Sequence, residues 1–479
     1  MSPHFSNRRE FLRQSLLGAG LVATGLAGCA APGARRPAAG APAAAGTAPA
    51  RARFNMCGYA APRLDRVRIG FIGLGMRGPA AVDRMSRIEG VEIAALCDQY
   101  PDRVAKVQQT LARRGLPPAR AYSDSKDAWR RLCADPAIDL VYICTPWSLH
   151  TPMAVGAMEQ GKHAAVEVPA ARTLEECWQL VETSERTRRH CMMLENCCYD
   201  FFELLTLNLA RHGWFGEILH GEGAYLHDLR ELNFGRDAYA EMWRLKENQH
   251  RNGNLYPTHG LGPICQVMGI NRGDRMDYLT SMSTADFQMA DIVEGLAAKD
   301  PFFAEYRGRT YRGNMNTTTI RTHRGRTIML QHDVTSPRPY SRIHLVSGTK
   351  GIARKWPLPA RAAQGHQWLD EAGMKQLEAE FTPEIVRHIG ELARQVGGHG
   401  GMDFIMDWRL IDCLRNGLPL DQDVYDAALW SVIAPLSEQS VAHRSDSVDV
   451  PDFTNGWWQT NAPVELTLKG AGTTGVRRV

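Results

Sequence analysis

The chemistry of this chain opens at Gly73-Leu74-Gly75-Met76-Arg77-Gly78. A β-rich run, Val67-Arg68-Ile69-Gly70-Phe71-Ile72, leads into it, and a helical pattern of Ala80, Ala81, Met85 and Ile88 follows. A G-x-G-x-x-G turn between strand and helix suits a dinucleotide. Gly73 makes the tight turn, Gly75 lets the backbone approach a pyrophosphate, and Gly78 lets helix and strand pack closely. The helix start presents free N–H groups and the positive dipole end to the phosphates. The next apolar run, Val91 to Cys97, ends in Asp98, 20 residues past Gly78. A carboxylate at the tip of a second strand accepts from the adenosine ribose hydroxyls and repels a 2′-phosphate, which favours NAD over NADP. Arg103 lies nearby with Asp102 beside it.

A second set of residues is too polar and too aromatic for plain core. Ala224-Tyr225-Leu226-His227-Asp228 closes a strand pattern, and Trp243-Arg244 sits in a loop. Leu255-Tyr256-Pro257-Thr258-His259-Gly260 precedes a helix, while Ser336 to Tyr340 and Gly397-Gly398-His399-Gly400-Gly401 are loops. Taken singly, each has a plain structural role: a tyrosine at a strand edge packs its ring, and an arginine pairs at the surface. The histidines show no H-x-x-x-H spacing, so no metal site is expected.

These residues need a scaffold. The strand–helix alternation continues through Ile138 to Pro146, His163 to Pro169 and Cys191 to Asn196, each reading as a buried parallel strand. Ligands of an open parallel sheet sit at the carboxyl ends of its strands, which places Trp147 to His150, Glu167 and Asn196 beside the cofactor. After about residue 200 the pattern turns to amphipathic strands at Glu217–His227, Asp277–Thr284, Asn316–His323, Thr327–Thr335 and Tyr340–Ser347. Helices are expected over Gly401–Asn416 and Gln422–His443. The fold class is therefore α/β: an N-terminal doubly wound Rossmann sheet over 63–200, then an α+β substrate domain over 201–479 with an open, mostly antiparallel sheet.

Composition narrows the function. The chain has 479 residues, 44% hydrophobic and 23% charged, which suffices for a buried core. No apolar run approaches the roughly 20 residues of a transmembrane helix. The first 62 residues carry seven arginines against one acid, leaving the remainder near neutral, so nucleic acid is not expected as a partner. Arg8-Arg9 within Ser6 to Arg13 resembles a twin-arginine export motif, followed by a short apolar stretch from Leu16 to Gly28. Leu26-Ala27-Gly28-Cys29 resembles a lipobox, which implies a lipid anchor at Cys29; ordinary cleavage at a small-residue site is the alternative. Residues 1–29 thus read as the signal of a periplasmic protein, and 30–62, rich in Ala and Pro, as a disordered linker. Eleven cysteines without a C-x-x-C pair fit buried free thiols better than an oxidised scaffold.

The glycine motif, Asp98, Thr145-Pro146 and Glu167-x-Pro169 together resemble the glucose–fructose oxidoreductase/inositol dehydrogenase superfamily. Two positions depart from its dehydrogenases: Val168 stands where they carry a proton-transferring Lys, and Leu255 where an Asp commonly precedes the active-site His by four. More specifically, Glu167-Val168-Pro169-Ala170, Glu195-Asn196-Cys197-Cys198-Tyr199, Trp243-Arg244, Tyr256-Pro257-Thr258-His259 and Gly398 to Asp403 resemble glycoside hydrolase family 109, whose founding activity is α-N-acetylgalactosaminidase. The resemblance runs from about 65 to 455. It implies NAD held by Gly73, Gly75, Met76, Arg77, Gly78, Asp98, Trp147, Ser148, Leu149, His150, Glu167, Val168 and Asn196. It implies a sugar held by Tyr225, Arg244, Tyr256, Pro257, Thr258, His259 and Tyr340. It leaves the base open among Tyr199, Tyr225, Tyr256 and His259.

NAD-dependent glycosidases stand outside the two-carboxylate scheme. In the oxidation–elimination–addition route that the resemblance implies, sugar C3 is oxidised, C2 loses a proton, the C1 group leaves, water adds, and the oxidation is reversed. A periplasmic NAD(P)-dependent sugar oxidoreductase is the alternative enzyme, and a non-catalytic sugar-binding lipoprotein the alternative outside catalysis. The sequence leaves open the sugar and anomer, the aglycone, and whether the chain forms a homo-oligomer.

Overall fold

The computed structural model describes residues 53–477. The twin-arginine motif, the lipobox and most of the linker lie outside the described residues. Residues 53–62, expected as linker, instead pack on the body. Arg53 makes a two-pronged ion pair with Glu185, Met56 is buried with its N–H on the Tyr425 hydroxyl, and Asn55 bonds Asn461. The Ala/Pro composition hid one well-buried Met, a side chain whose burial contributes about 1.5–3 kcal/mol.

Six strands form the first sheet: β1 (Val67–Ile72), β2 (Val91–Cys97), β3 (Arg120–Tyr122), β4 (Leu140–Ile143), β5 (His163–Val166) and β6 (Cys191–Met193). Their order is β3-β2-β1-β4-β5-β6, all parallel, the doubly wound arrangement expected. The strands β4, β5 and β6 are buried at every residue, because helices cover both faces.

The second sheet has eight strands: β7 (Ile218–Leu226), β8 (Met276–Ser283), β9 (Asn316–Thr322), β10 (Thr327–Asp333), β11 (Leu345–Gly348), β12 (Ile352–Arg354), β13 (Arg361–Ala363) and β14 (Val448–Asp449). The order is β13-β12-β11-β7-β10-β9-β8-β14. Only β7 and β10 run parallel; the other pairings are antiparallel. The strand expected over 340–347 is shorter. After one bridge between Ser341 and Leu226, Ile343 and His344 take left-handed backbone (φ 59 and 45), and pairing resumes only at Leu345.

Two features position the site. The Thr258–Met268 helix lies backbone-to-backbone on β7. A Cβ on Gly223 would stand 2.4 Å from the Gly260 carbonyl oxygen, and one on Gly260 would stand 2.2 Å from Ala224 N. This contact brings His259 against Tyr225. The second feature is the return of the C-terminal helices to the first sheet. Tyr142 on β4 and Arg84 both bond Asp407 of the Met402–Asn416 helix, and Ser431 of the Val424–Ala442 helix accepts from Ala170 N. Val476 bridges Ile88 and Arg477 bonds Ser86 and Val91. A division at 200 therefore separates the two sheets but not the packing, since helices beyond 400 complete the Rossmann half.

Candidate active site

At the carboxyl end of β1 the glycine loop turns into the Gly78–Met85 helix. A Cβ on Gly78 would meet the Gly73 carbonyl oxygen at 2.0 Å, so only glycine permits this turn. Asp98 ends β2 and is buried. Its Oδ2 accepts from Leu74 N at 2.7 Å and its Oδ1 from Tyr100 N at 2.9 Å. One carboxylate thus holds the loop while keeping further lone pairs for a ribose. The Arg103 guanidinium stands 3.6 Å from Asp98 Oδ2.

A cleft of about 1290 Å³ begins at this loop. Its wall includes Gly73, Gly75, Met76, Arg77 and Asp98, then Trp147, Ser148, Leu149, His150, Glu167, Val168 and Asn196. It continues past Tyr225, His227, Arg244, Tyr256 and His259. The volume exceeds the ~300–1,000 Å³ of a site for one small ligand, as a dinucleotide with a second ligand requires. A glycine cradle, a buried ribose-facing acid and a cleft of this size together fit NAD.

Replacing Asp98 by alanine removes the ribose acceptor and two backbone hydrogen bonds, and it frees Arg103 for a 2′-phosphate. Charge-assisted hydrogen bonds contribute about 1.5–3 kcal/mol, so the affinity for NAD is expected to fall ~10–100-fold and that for NADP to fall less. NAD and NADP titrations of cofactor-stripped protein check this. Unchanged NAD affinity contradicts the assignment.

Past the loop the cleft becomes an acid–base chamber. His259 Nδ1 donates to Glu195, 2.7 Å from Oε1 and 3.0 Å from Oε2. A carboxylate only accepts, so Nδ1 carries the hydrogen and Nε2 is left for the cleft. Glu195 is fully buried. Burial pushes its pKa up, but the neighbouring His259 outweighs that and holds the carboxyl below its ordinary value. Sequence spacing did not point to Glu195, because the pair spans 64 residues.

A second dyad faces the first. The Tyr225 hydroxyl lies 2.9 Å from His227 Nδ1, and the Tyr225 and His259 rings meet edge-on at 5.3 Å. Burial pushes the Tyr225 hydroxyl up to about 12, against the lowering pull of Arg244. Burial, then the Arg244 and His259 charges, push the His227 imidazole down, which keeps it neutral. Arg244 is buried in an aromatic cage, its guanidinium 5.3 Å from the Trp147 ring, 5.4 Å from Tyr239 and 5.1 Å from Tyr256. It donates to the Tyr239 hydroxyl at 2.8 Å, and among the described residues no carboxylate pairs with it. An unpaired buried cation favours negative charge on an adjacent phenol or ligand oxygen.

Several expected residues stand elsewhere. Tyr199 is buried outside the cleft, its hydroxyl on Asp421, which Arg409 grips with two hydrogen bonds. Its hydroxyl thus points away from the cleft. Pro257 and Thr258 are buried behind Tyr256 and His259 and do not reach the cleft wall. Tyr340 lies behind His227, edge-on at 4.9 Å, with its hydroxyl accepting from Arg342. Gly78 supports the loop from beneath. His150 reaches the cleft wall, but Nδ1 lies 2.7 Å from the Pro169 carbonyl and Nε2 2.8 Å from that of Thr145, so it ties two strand ends together.

Val168 leaves the chamber without a lysine; the two cleft lysines, Lys106 and Lys126, follow β2 and β3. Glu195, Cys197 and His259 offer donor atoms within 4.8 Å of one another. One of these donors, His259 Nδ1, is already joined to Glu195 by a hydrogen bond.

Both halves of the chain resemble known proteins. Residues 67–195 match the oxidoreductase family described as having an NAD-binding Rossmann fold, and residues 199–460 match the C-terminal domain of glycosyl hydrolase 109. A glycosyl hydrolase family 109 protein of Porphyromonas gingivalis is 51% identical over 413 residues, covering 83% of this chain and 86% of the relative. An alpha-N-acetylgalactosaminidase of Bacteroides fragilis is 49% identical over 411 residues, covering 85% and 96%. In fold alone, a levoglucosan dehydrogenase solved with NADH and L-sorbose superposes with a TM-score of 0.61 at 19% identity, covering 81% of this chain and all of that one. With both halves matched, and with relatives about half identical over more than four-fifths of its length, the chain belongs to glycoside hydrolase family 109.

Proposed function

We propose that this NAD-binding glycoside hydrolase removes terminal α-linked N-acetylgalactosamine by oxidation, elimination and addition, with no net use of cofactor. Bound NAD supplies a reversible hydride acceptor at a sugar carbon, which transiently acidifies the neighbouring C–H. The chain's own groups then handle protons. His259, backed by Glu195, takes the proton of the hydroxyl being oxidised. The C2 proton passes to the Tyr225–His227 dyad beside Arg244, Tyr225 giving its own proton to His227 as it takes the one from C2, so that no free phenolate is needed. A proton carrier of this kind contributes roughly 10²–10⁴-fold. The observation that carries this reading is the carboxylate-backed His259 in the same cleft as the NAD loop, where a dehydrogenase lysine is replaced by Val168. The alpha-N-acetylgalactosaminidase relative supports the sugar.

The leader residues Arg8-Arg9 and Cys29 support export by the twin-arginine route to the periplasm and a lipid anchor there. A folded protein exported by that route can carry its cofactor with it, and a recycled cofactor suits a compartment poor in free NAD.

The test is a panel of aryl glycosides given to the purified protein with no cofactor added. The phenol should be released from the α-N-acetylgalactosaminide without NADH accumulating. Net NADH from free sugar, with no phenol release, would instead make this a sugar oxidoreductase, the activity class of its fold neighbours.

A further inference from the structure

Arg312 lies in the loop before β9 and is among the largest side chains that the fold buries completely. Its Nη2 reaches only two backbone carbonyls, those of Asn314 and His332, both at 3.4 Å. Its Nε and Nη1 are buried with no partner in the protein, and among the described residues no carboxylate pairs with it. The two acids whose charge reaches it are committed elsewhere. Asp333 accepts from Thr335 N at 2.9 Å and Ser336 N at 3.0 Å, and Arg251 grips both oxygens of Glu438 at 2.9 Å. Burial pushes the Arg312 pKa down to about 10, so the guanidinium is still charged at neutral pH. A buried charge without a partner is strongly destabilising.

The groups around it are polar but neutral. Arg312 N donates to the carbonyl of Asn248, in the Trp243–His250 helix, and Gly313 N donates to Asn252 Oδ1. Two residues further on, Asn254 is buried, and neither atom of its amide bonds the protein. His332 on β10 stands opposite Tyr225 on β7, with the two rings stacked at 6.2 Å. The His332 Nδ1 is buried and unpartnered too. Burial, then the charges of Arg312 and Arg244, hold this imidazole well below its ordinary value, so it is neutral and brings no charge of its own. Two buried guanidiniums thus act on the Tyr225–His332 pair, neither with a carboxylate. Arg244 lines the cleft and can meet negative charge on a ligand there, whereas Arg312 does not line it.

From this geometry we infer that Arg312 holds a small monovalent anion, a halide such as chloride, in a buried site behind Tyr225, with the Nε and Nη1 hydrogens of Arg312 and the Asn254 amide as donors. One guanidinium needs balancing, so a single negative charge suffices, and a phosphate or sulfate dianion would leave charge unpaired. A water could meet the same donors, but it would not meet the charge.

The direct probe is bromide, which replaces chloride and scatters X-rays anomalously. In crystals of the full chain purified and grown in bromide, an anomalous peak is expected within hydrogen-bonding distance of Arg312 Nε and Nη1. Bromide confined to exposed arginines, with water at Arg312, marks an adventitious ion only and overturns the site. Thermal melting in chloride and in gluconate at equal ionic strength gives an independent reading. A ligand that binds only the folded state raises its melting temperature, so the wild type is expected to melt about 2 °C or more higher in chloride. Arg312→Met is similar in length and uncharged. It should lose that difference and, in gluconate, melt no lower than the wild type, because it removes a charge that has no partner there. A variant that melts below the wild type by the same margin in both salts makes Arg312 a packing group and overturns the inference. Should the variant fail to fold, the bromide peak and the chloride dependence of the wild type decide the matter without it.

Discussion

His259→Ala is expected to lower kcat by about 10²-fold or more while leaving the fold and bound NAD intact. The imidazole lines the chamber, its Nδ1 hydrogen is committed to Glu195, and nothing on the glycine loop leans on it. The loss should therefore appear in kcat, with NAD content after gel filtration unchanged. Glu195→Gln refines the result. The amide keeps the size of the side chain and can still accept from Cys197 N and His259 Nδ1, but it removes the charge that stabilises an imidazolium. A fall of roughly ten- to a hundredfold is expected, since Glu195 acts only through His259. Initial rates on an aryl glycoside check both. A fall of less than tenfold in His259→Ala would make that residue a packing group and leave Tyr225 as the sole proton carrier.

The scaffold was largely legible because it rests on local patterns. The G-x-G-x-x-G turn, the acid after the second apolar run and the apolar strands that follow are all readable within a short window, and each stands where expected. The chamber was legible only in part. Tyr225, Arg244, Tyr256 and His259 announce themselves as polar or aromatic residues at strand ends and helix starts. Their partners do not. Glu195 looks like the neighbour of Asn196, and His227 like a strand residue, because what makes each functional is a contact that the chain folds to create.

Tyr199 shows the converse case. It sits three residues after Asn196, yet the short 3₁₀ turn Asn196–Tyr199 carries it behind the wall, where Asp421 and Arg409 take its hydroxyl. Thr258 fails for a similar reason: in the helix beginning at Thr258, adjacent residues face different ways, so His259 reaches the cleft and Thr258 does not.

Hydrolysis by elimination requires removal of the C2 proton, and that leaves a mark on the product. The enzyme is run to completion on an α-N-acetylgalactosaminide in deuterated water, and the released sugar is analysed at C2. In the proposed relay Tyr225 gives its proton to His227, which is only partly buried, so the proton taken from C2 is open to exchange with solvent before one is returned. Deuterium at C2 is therefore expected, together with slower turnover of a C2-deuterated substrate where that step limits the rate. Direct displacement at C1 never breaks the C2–H bond. Released sugar carrying only hydrogen at C2, with equal rates for the C2-protio and C2-deuterio substrates, would contradict the elimination route and reduce the two dyads to binding groups.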